Sequence, residues 1–197
     1  MKIITVTGYK GGVGKSTTAV HLATFLSEKG KTLLIDGDPN RTAVNWDARG
    51  HLPFKVVDER KAAKSIPGND YLVIDTPARP DSSDLKELSE GCDLLILPTI
   101  PDTASLEPML QTANDLDGCE YRALITMAPP SPNRDAKTMQ TEMQTNGIPV
   151  FNSIIRRSIA FSKAANEGLP VKDLKGRDRS PWQDYLNLGR EIIEALQ

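Results

Sequence analysis

Cysteine and histidine are scarce in this chain of 197 residues. It contains two cysteines, Cys92 and Cys119, and two histidines, His21 and His51. The cysteines are too few for a disulfide framework and lack the spacing of a metal site, and neither histidine has a cysteine or second histidine nearby. These absences argue against a disulfide-stapled scaffold and a zinc-type centre, and they fit a reducing cytosol.

The chain also lacks a long apolar run and an excess of positive charge. No apolar stretch approaches the roughly 18 residues of a membrane span, and the first residues lead directly into a strand pattern, with no room for a signal peptide. The formal net charge is −2 and the isoelectric point is about 5.7, so nucleic-acid binding would need a local basic patch. We expect a cytoplasmic protein with a single domain over residues 1–197, because the length and the 39% hydrophobic content suit one core.

Short apolar runs rich in isoleucine, valine and leucine recur along the sequence and predict strands. They lie at residues 3–7, 32–36, 55–58, 71–75, 94–98, 123–127 and 150–155. Helical periodicity predicts helices at residues 15–29, 103–116, 136–146 and 159–167. Continuous apolar strands that alternate with helices predict an α/β fold with three αβα layers and a mostly parallel central sheet, in which ligands bind beyond the carboxyl ends of the strands.

A glycine-rich motif stands where the first strand should turn into the first helix. Residues 10–17 read Lys-Gly-Gly-Val-Gly-Lys-Ser-Thr. Gly8 is one position earlier than the first glycine of the generic phosphate-binding loop, and Lys10 adds a second lysine, which is the deviant form of the Walker A motif. A chance match in a glycine-rich turn is disfavoured by the order of strand, loop and helix. The motif predicts a P-loop NTPase fold and an ATPase.

Each part of this loop has a chemical task in nucleotide binding. Glycines let the backbone turn its N–H groups around phosphate oxygens, and the N-terminal end of the following helix adds positive potential. Lys15 would contact the β and γ phosphates, Ser16 would bind Mg²⁺, and Thr17 would contact the α phosphate. The predicted nucleotide-binding residues are Gly11, Gly12, Val13, Gly14, Lys15, Ser16 and Thr17.

Three aspartates follow predicted strands at the same edge of the sheet. Asp75 ends the run Tyr-Leu-Val-Ile-Asp, which is typical of a Walker B carboxylate that holds Mg²⁺ or its water. Asp36 and Asp38 follow the second strand, and their spacing would point both carboxylates the same way if strand geometry persisted. One would reach the metal shell and the other the attacking water. The alternative is that either aspartate only caps a turn before Pro39.

These motifs resemble those of the ParA/MinD family of deviant Walker A ATPases. The likeness rests on residues 10–17, on Leu-Leu-Ile-Asp-Gly-Asp-Pro at 33–39 and on Tyr-Leu-Val-Ile-Asp-Thr-Pro at 71–77. The resemblance implies an ATP sandwich dimer in which Lys10 reaches the phosphates of the other subunit. It also implies that Asp38 positions the water and that Asp36 and Asp75 serve Mg²⁺, so Lys10, Lys15 and Asp38 are the predicted catalytic residues. Asn40 and Arg41 depart from the Gln often found after the proline, and no role is carried over to them.

Within that family the chain resembles the small ParA type, which lacks an N-terminal helix-turn-helix domain. This likeness implies a homodimer that holds nonspecific DNA in the ATP state, on the nucleoid, and a cargo adaptor that stimulates ATP hydrolysis. The cargo would be a plasmid, a chromosome origin or a carboxysome, the last positioned by the compact McdA subgroup. An Fe–S or metal-delivery ATPase is the competing class, and the absence of a Cys-x-x-Cys pair disfavours it.

The charges of the last 47 residues help to decide whether the protein binds DNA or a membrane. Residues 151–181 hold seven basic against three acidic residues, which fits phosphate contacts. Arg156, Arg157 and Lys163 are the predicted DNA contacts, and a solvated basic face is the alternative. MinD relatives bind membrane through a basic C-terminal helix. Residues 182–197 carry three acidic residues and only Arg190 as a base, so no membrane binding is expected.

Two residues at and just beyond the end of the sixth predicted strand complete the candidate site. Met127 and Pro129 would frame the adenine of ATP. A turn that simply ends the strand explains the local prolines equally well.

Overall fold

Seven strands and six α-helices form the computed structural model, which describes residues 1–8, 10–78, 82–102, 116 and 120–197. The strands are β1 Lys2–Gly8, β2 Thr32–Asp36, β3 Lys55–Asp58, β4 Tyr71–Ala78, β5 Leu94–Thr99, β6 Tyr121–Ala128 and β7 Val150–Arg156. The helices are α1 Lys15–Ser27, α2 Thr42–Asp47, α3 Ser82–Glu90, α4 Arg134–Thr145, α5 Ile159–Glu167 and α6 Trp182–Ala195. The helix predicted at 103–116 lies outside the described residues, apart from Leu116.

The strands form one sheet in the order β3-β2-β4-β1-β5-β6-β7, and every pair is parallel. The sheet is therefore parallel throughout, where the sequence predicted a mostly parallel one. The chain fills the β2 side of β1 first and then crosses to the β5 side, so the loop after β1 lies where the direction of winding changes. Such a switch point opens a crevice at the carboxyl ends of the strands.

Helices cover both faces of the sheet, which explains why the strands read as continuous apolar runs. On one face α1 and α6 pack against the strands, with side chains such as Val20, Phe25 and Ile192 in a core shared with Ile4 and Phe151. On the other face α3 and α4 cover a second core, which includes Leu85, Met139 and Met143. The three-layer αβα arrangement follows from these two cores.

No described helix has both the length and the apolar character that crossing a membrane would require.

Candidate functional site

The loop between β1 and α1 is shaped by two glycines with left-handed backbone conformation. Gly12 has a φ of +76° and Gly14 a φ of +86°, and Gly14 is the N-cap residue of α1. A side chain is strained at such φ values, so glycine is required there. A Cβ atom added at Gly11 or Gly12 would meet nothing within 4 Å, so the space beside the loop is open.

The amino end of α1 is equipped to hold an anion. No side chain caps it, and its first turn contains no acidic residue. Its first N–H groups and the positive end of the helix dipole are thus directed at the space next to the loop. The predicted phosphate-binding residues Ser16 and Thr17 stand in this first turn.

Thr126 fastens this loop to the sheet, and sequence reasoning missed it. Its hydroxyl Oγ1 on β6 lies 2.8 Å from the carbonyl oxygen of Val13 and 3.0 Å from that of Thr99, which ends β5. Val13 and Thr126 are both buried. The central residue of the loop is therefore tied to two neighbouring strand ends, a contact between positions 113 residues apart in the sequence.

Lys15 and Asp75 are buried beside each other at the start of α1. Asp75 lies opposite Val6 of β1 and Asp36 of β2 in the sheet register, and its side chain has no exposed surface. Burial lowers the pKa of the Lys15 ammonium, while the charges of Asp75 and Asp38 raise it. The predicted phosphate-binding lysine thus shares its surroundings with the predicted Walker B carboxylate.

Asp75 is a buried carboxylate without a hydrogen-bond partner. Neither of its oxygens makes a contact with a described residue that meets both the distance and the angle of a hydrogen bond, although the Ser16 hydroxyl is near enough to lower its pKa. Burial raises its pKa to about 7; the neighbouring Ser16 hydroxyl partly offsets this, Asp36 and Asp38 raise the pKa further, and Lys15 lowers it. An unsatisfied buried carboxylate is costly, and a bound cation would satisfy it. The residues present therefore fit Mg²⁺.

The donor set agrees with magnesium rather than with a closed protein cage. Over the described part of the chain, no group of three or more carboxylate, imidazole or thiol side chains is close enough to hold a metal ion. Mg²⁺ is typically held by one or two carboxylates together with phosphate oxygens and water. Asp75 and the Ser16 hydroxyl would supply the protein's part of such a shell.

Asp36 is the last residue of β2, and Asp38 lies on the loop that follows it. Asp36 Oδ1 accepts the N–H of Asp38 at 3.1 Å, and Oδ2 accepts the N–H of Val44 in α2 at 2.9 Å. Burial raises the pKa of Asp36, and these N–H groups offset part of the rise. Asp36 thereby fastens α2 to the end of β2, and its predicted contact with Mg²⁺ stays a prediction.

Lys10 points away from this cluster. Its Nζ lies 3.2 Å from Asp102 Oδ2, beyond the end of β5, and both side chains are well exposed. The contact leaves the Lys10 ammonium at the surface of the molecule, on the side of the carboxyl ends of the strands.

A cavity of about 380 Å³ continues from the phosphate loop. One end is lined by Gly14 and Thr17, and Met127, with a φ of +52°, lines its wall. Pro129 lines a separate hollow of about 260 Å³. The structure thus brings Met127, but not Pro129, to the cavity beside Thr17; that either frames adenine stays a prediction.

Aromatic side chains that the sequence did not assign to the site form the rest of this wall. Trp46 of α2, Phe161 of α5 and Tyr185 of α6 all line the cavity. They come from three helices that are distant in sequence, so no local pattern indicated that they meet. Trp46 is 2% exposed, which makes it a core residue rather than part of an exposed surface.

His21 lies at the centre of this aromatic group. Its Nδ1 is 2.7 Å from the carbonyl oxygen of Thr17, and its Nε2 accepts the N–H of Val171 at 3.1 Å. The ring stacks on Tyr185 with centroids 4.8 Å apart. Burial lowers the pKa of His21 to about 4. The imidazole is therefore neutral at pH 7, with its proton on Nδ1.

The three predicted DNA contacts have different environments. Arg156 makes a bidentate ion pair with the buried carboxylate of Asp184, with distances of 2.6 and 2.8 Å. Lys163 pairs with Asp178 at 2.7 Å. Arg157 is exposed. Arg156 is thus held by α6, a link between residues 28 positions apart that the sequence pattern did not reveal.

Comparisons with known proteins agree with this site. The family model of the CobQ/CobB/MinD/ParA nucleotide binding domain matches residues 4–171. The chain is 33% identical over 202 residues to Maintenance of carboxysome distribution protein A of Gloeobacter kilaueensis, an alignment covering 97% of this chain and 94% of that protein. It is 31% identical to the sporulation initiation inhibitor protein Soj of Bacillus subtilis, over 97% of this chain and 98% of that protein.

Solved structures show the same fold. McdA from Cyanothece in complex with ATP superposes with a TM-score of 0.73 at 17% identity, covering all of this chain and 96% of that one. The MinD cell division protein of Aquifex aeolicus gives a TM-score of 0.73 at 17% identity, with 98% of each chain covered. These likenesses confirm the predicted three-layer fold with a parallel sheet.

Proposed function

Because this chain belongs to the CobQ/CobB/MinD/ParA nucleotide-binding family, as its motifs predicted, we propose that it hydrolyses ATP to control a dimer that positions a cargo. The observation that carries the ATPase proposal is the buried, unpartnered carboxylate of Asp75 beside Lys15 and Ser16. A group that is unsatisfied in the free protein and adjoins an anion-binding loop is explained by a magnesium nucleotide.

The residues of the loop divide the binding of ATP between them. The N–H groups of residues 11–17 and the amino end of α1 bind phosphate oxygens, and the buried Lys15 ammonium neutralises the β and γ phosphates. Ser16 and Asp75 would hold Mg²⁺, which when bound neutralises phosphate charge. Thr17 places the α phosphate at the mouth of the 380 Å³ cavity, where Met127 and the aromatic wall would receive the base.

Hydrolysis requires a water in line with the γ phosphate and a positive charge on the developing oxyanion. Asp38 would orient the water. Lys10 would reach the phosphates of a second subunit, since its ammonium is exposed at the surface and is paired with Asp102. The ion pair of Lys10 with Asp102 is half exposed, and such pairs contribute little stability, so the lysine is easily released. Turnover would then depend on dimerisation.

Lys10 has a well-matched control in this chain. Lys2 also forms an exposed ion pair, with Asp93 at 3.6 Å, but at the opposite end of β1. Lys10→Ala is expected to keep nucleotide binding and to lose the rise of ATP turnover with protein concentration, whereas Lys2→Ala should behave as the wild type. Equal behaviour of the two variants would refute the role of Lys10 in trans.

Basic residues around α5 form the proposed DNA surface. Arg157 precedes the helix, Lys163 lies on it, and the turn after it exposes further charges: Lys175, Arg177 and Arg179. The Lys163–Asp178 pair has about half of the lysine side chain exposed, so phosphate can compete for it. Nonspecific binding through such charges is strongly salt-dependent.

Variants of the two adjacent arginines distinguish a residue that contacts DNA from one that stabilises the fold. Arg157→Ala should weaken binding to random-sequence duplex and lower the log-log salt slope by about 0.9. Arg156→Ala should chiefly destabilise the fold, because it leaves the buried Asp184 carboxylate unpaired. DNA binding would be measured without nucleotide, with ADP and with ATP plus Mg²⁺, at two salt concentrations. Absence of binding in every state would defeat the DNA proposal and leave the ATPase proposal standing.

The names of the relatives suggest that the ATP-controlled dimer distributes a large cargo. Two proteins named for carboxysome distribution are 33% and 26% identical to the chain, over nearly its whole length, and a chromosome-partitioning ATPase is 26% identical. We infer a cargo adaptor that accelerates hydrolysis and so releases the dimer from DNA. Co-purification of a neighbouring gene's product that raises ATP turnover would identify it.

A further inference from the structure

The two residues after Pro39 are the ones that the family motif left without a role. Asn40 and Arg41 lie with Asp38 on the loop between β2, which ends at Asp36, and α2. We propose that Asn40 is a positioning residue for the Asp38 carboxylate, and that Arg41 fixes the end of β2 and the loop on which Asp38 stands. The proposal rests on the proposed function, in which Asp38 orients the attacking water.

Asn40 holds the Asp38 carboxylate with two donors. The backbone N–H of Asn40 is 2.8 Å from Asp38 Oδ1, and its side-chain Nδ2 is 2.9 Å from the same oxygen. The backbone bond alone is an ordinary turn contact, which most residues would provide at this position. The amide of the side chain is the specific element, because it gives Oδ1 a second donor and leaves Oδ2 out of both bonds.

Asp38 needs such a restraint because of its neighbours. It is 8% exposed, and Asp36 and Asp38 both act on the charge of Asp75 at this edge of the sheet. Neighbouring carboxylates repel one another, which Lys15 offsets only in part, and a short side chain on a loop would turn away toward water. Two hydrogen bonds to one oxygen oppose that rotation. Catalysis is sensitive to displacements of a catalytic group by about 1 Å.

Arg41 secures the backbone of the same loop. Its guanidinium donates to the carbonyl oxygen of Asp36 at 2.8 Å, and it forms ion pairs with Asp58 at 3.0 Å and Glu59 at 3.5 Å. Its N–H donates to the carbonyl oxygen of Asp38 at 2.9 Å. The side chain is only 20% exposed, so it is a partly buried clamp between the end of β2 and the end of β3.

The backbone of Arg41 supports this interpretation. Its φ of +51° is in the left-handed region, which a residue other than glycine, asparagine or aspartate rarely adopts. A strained backbone conformation is kept only where contacts with the surrounding structure hold it in place, and residues in such conformations cluster at functional sites. The four contacts of Arg41 described above hold its backbone in this conformation. The strained turn places Asn40 next to Asp38.

Substitution of Asn40 tests the proposal through the split between kcat and KM. Asn40→Ala removes one hydrogen bond to a charged group, so kcat should fall by about tenfold, while KM for ATP and affinity for ADP stay within twofold. Asn40→Asp keeps the size, the turn preference and the backbone N–H, but it replaces the donor with a like charge. Its kcat should therefore fall further than that of Asn40→Ala.

The order of the two variants separates positioning from a structural role. If Asn40 only shaped the turn, Asn40→Asp would be the milder change, because aspartate favours such turns as asparagine does. Asn146 serves as the control, since its side chain also makes a local bond, to the carbonyl oxygen of Glu142, at the end of α4. Asn146→Ala should leave kcat and KM unchanged, and thermal unfolding shows whether all variants are folded.

The variant Asp38→Asn tests the proposed role of Asp38 itself, independently of the role of Asn40. Its kcat should fall to the background. If Asp38→Asn turns over ATP as fast as the wild type, the proposed function is wrong at this residue. If Asp38→Asn is inactive but Asn40→Ala and Asn40→Asp retain wild-type kcat, or if Asn40→Asp is the milder of the two, the positioning role of Asn40 is refuted.

Discussion

Protonation of His21 should make this protein lose stability in mild acid. In the fold both ring nitrogens are engaged, by Thr17 and Val171, and the pKa is lowered from 6.5 to about 4 by burial. The unfolded chain binds a proton at this residue below pH 6.5, whereas the folded chain does not until about pH 4. The stability from the neutral imidazole is thus present above pH 6.5 and is lost as the pH falls toward 4.

The size of the effect follows from the difference between the two pKa values. Because His21 is completely buried, no solvent screening reduces it. The free energy of unfolding should be about 2 kcal/mol lower at pH 5 than at pH 8 on account of His21, with a limit of about 3 kcal/mol at still lower pH. Asp75 acts in the opposite direction, because its raised pKa of about 7 costs stability as the pH rises.

A comparison of variants isolates the contribution of His21. Urea unfolding of the nucleotide-free protein between pH 5 and pH 8 would give the pH slope of stability for the wild type, His21→Gln and His51→Gln. Glutamine cannot titrate, so His21→Gln should lack the contribution of about 2 kcal/mol, whatever its stability at pH 8. His51 is exposed, and its replacement should leave the slope unchanged. Equal slopes for wild type and His21→Gln would refute the assignment of a buried neutral imidazole.

Four further variants, of which Gly147→Ala is a control, test the described packing and the candidate site. Asp75→Asn should stabilise the nucleotide-free protein at pH 8 by up to about 4 kcal/mol, since it removes a buried charge, and it should abolish the rise in melting temperature with ATP and Mg²⁺. Gly168→Ala should destabilise by about 3 kcal/mol, because its φ is +70° and a Cβ atom would meet the backbone of Gly50. Gly147→Ala, with φ +73° but open space around it, should cost only about 1 kcal/mol. Trp46→Phe should cost about 2 kcal/mol in urea unfolding, because it removes the indole N–H that donates to the carbonyl oxygen of Leu169. Wild-type stability in either of the last two destabilising variants, Gly168→Ala or Trp46→Phe, would contradict the packing described.

The strands were predictable because burial on both faces demands continuous apolar residues. All seven predicted runs are strands, and β2 and β3 have the predicted bounds. β4 runs on to Ala78, since the sheet extends over Thr76, Pro77 and Ala78, which lie beyond the apolar run that predicted the strand. The helix α3 was not predicted; only Leu85 is deeply buried along its nine residues, so most of its pattern is polar.

In the candidate site, too, local features could be predicted from the sequence and long-range contacts could not. Glycines with positive φ and a lysine at the start of a helix are local requirements, and the sequence shows them directly. The anchors Thr126 and Asp184 act across 113 and 28 positions, so no spacing within a motif reveals them. Arg156 illustrates the consequence, because a basic residue near a predicted helix is indistinguishable in sequence from one that is already paired with a buried carboxylate.

The contacts of α2 connect the end of β2, next to Asp38, with the proposed DNA surface. Asp36 holds the amino end of α2, while Trp46 and Arg49 donate to the carbonyl oxygens of Leu169 and Ala165, at the carboxyl end of α5. A shift of α2 that accompanies nucleotide binding would therefore break these bonds or move α5 with it. The buried indole bond is costly to break, so we expect α5 and its basic residues to follow. Through Phe161, α5 also lines the cavity proposed for the nucleotide, which would give ATP a direct contact with the helix that carries Lys163.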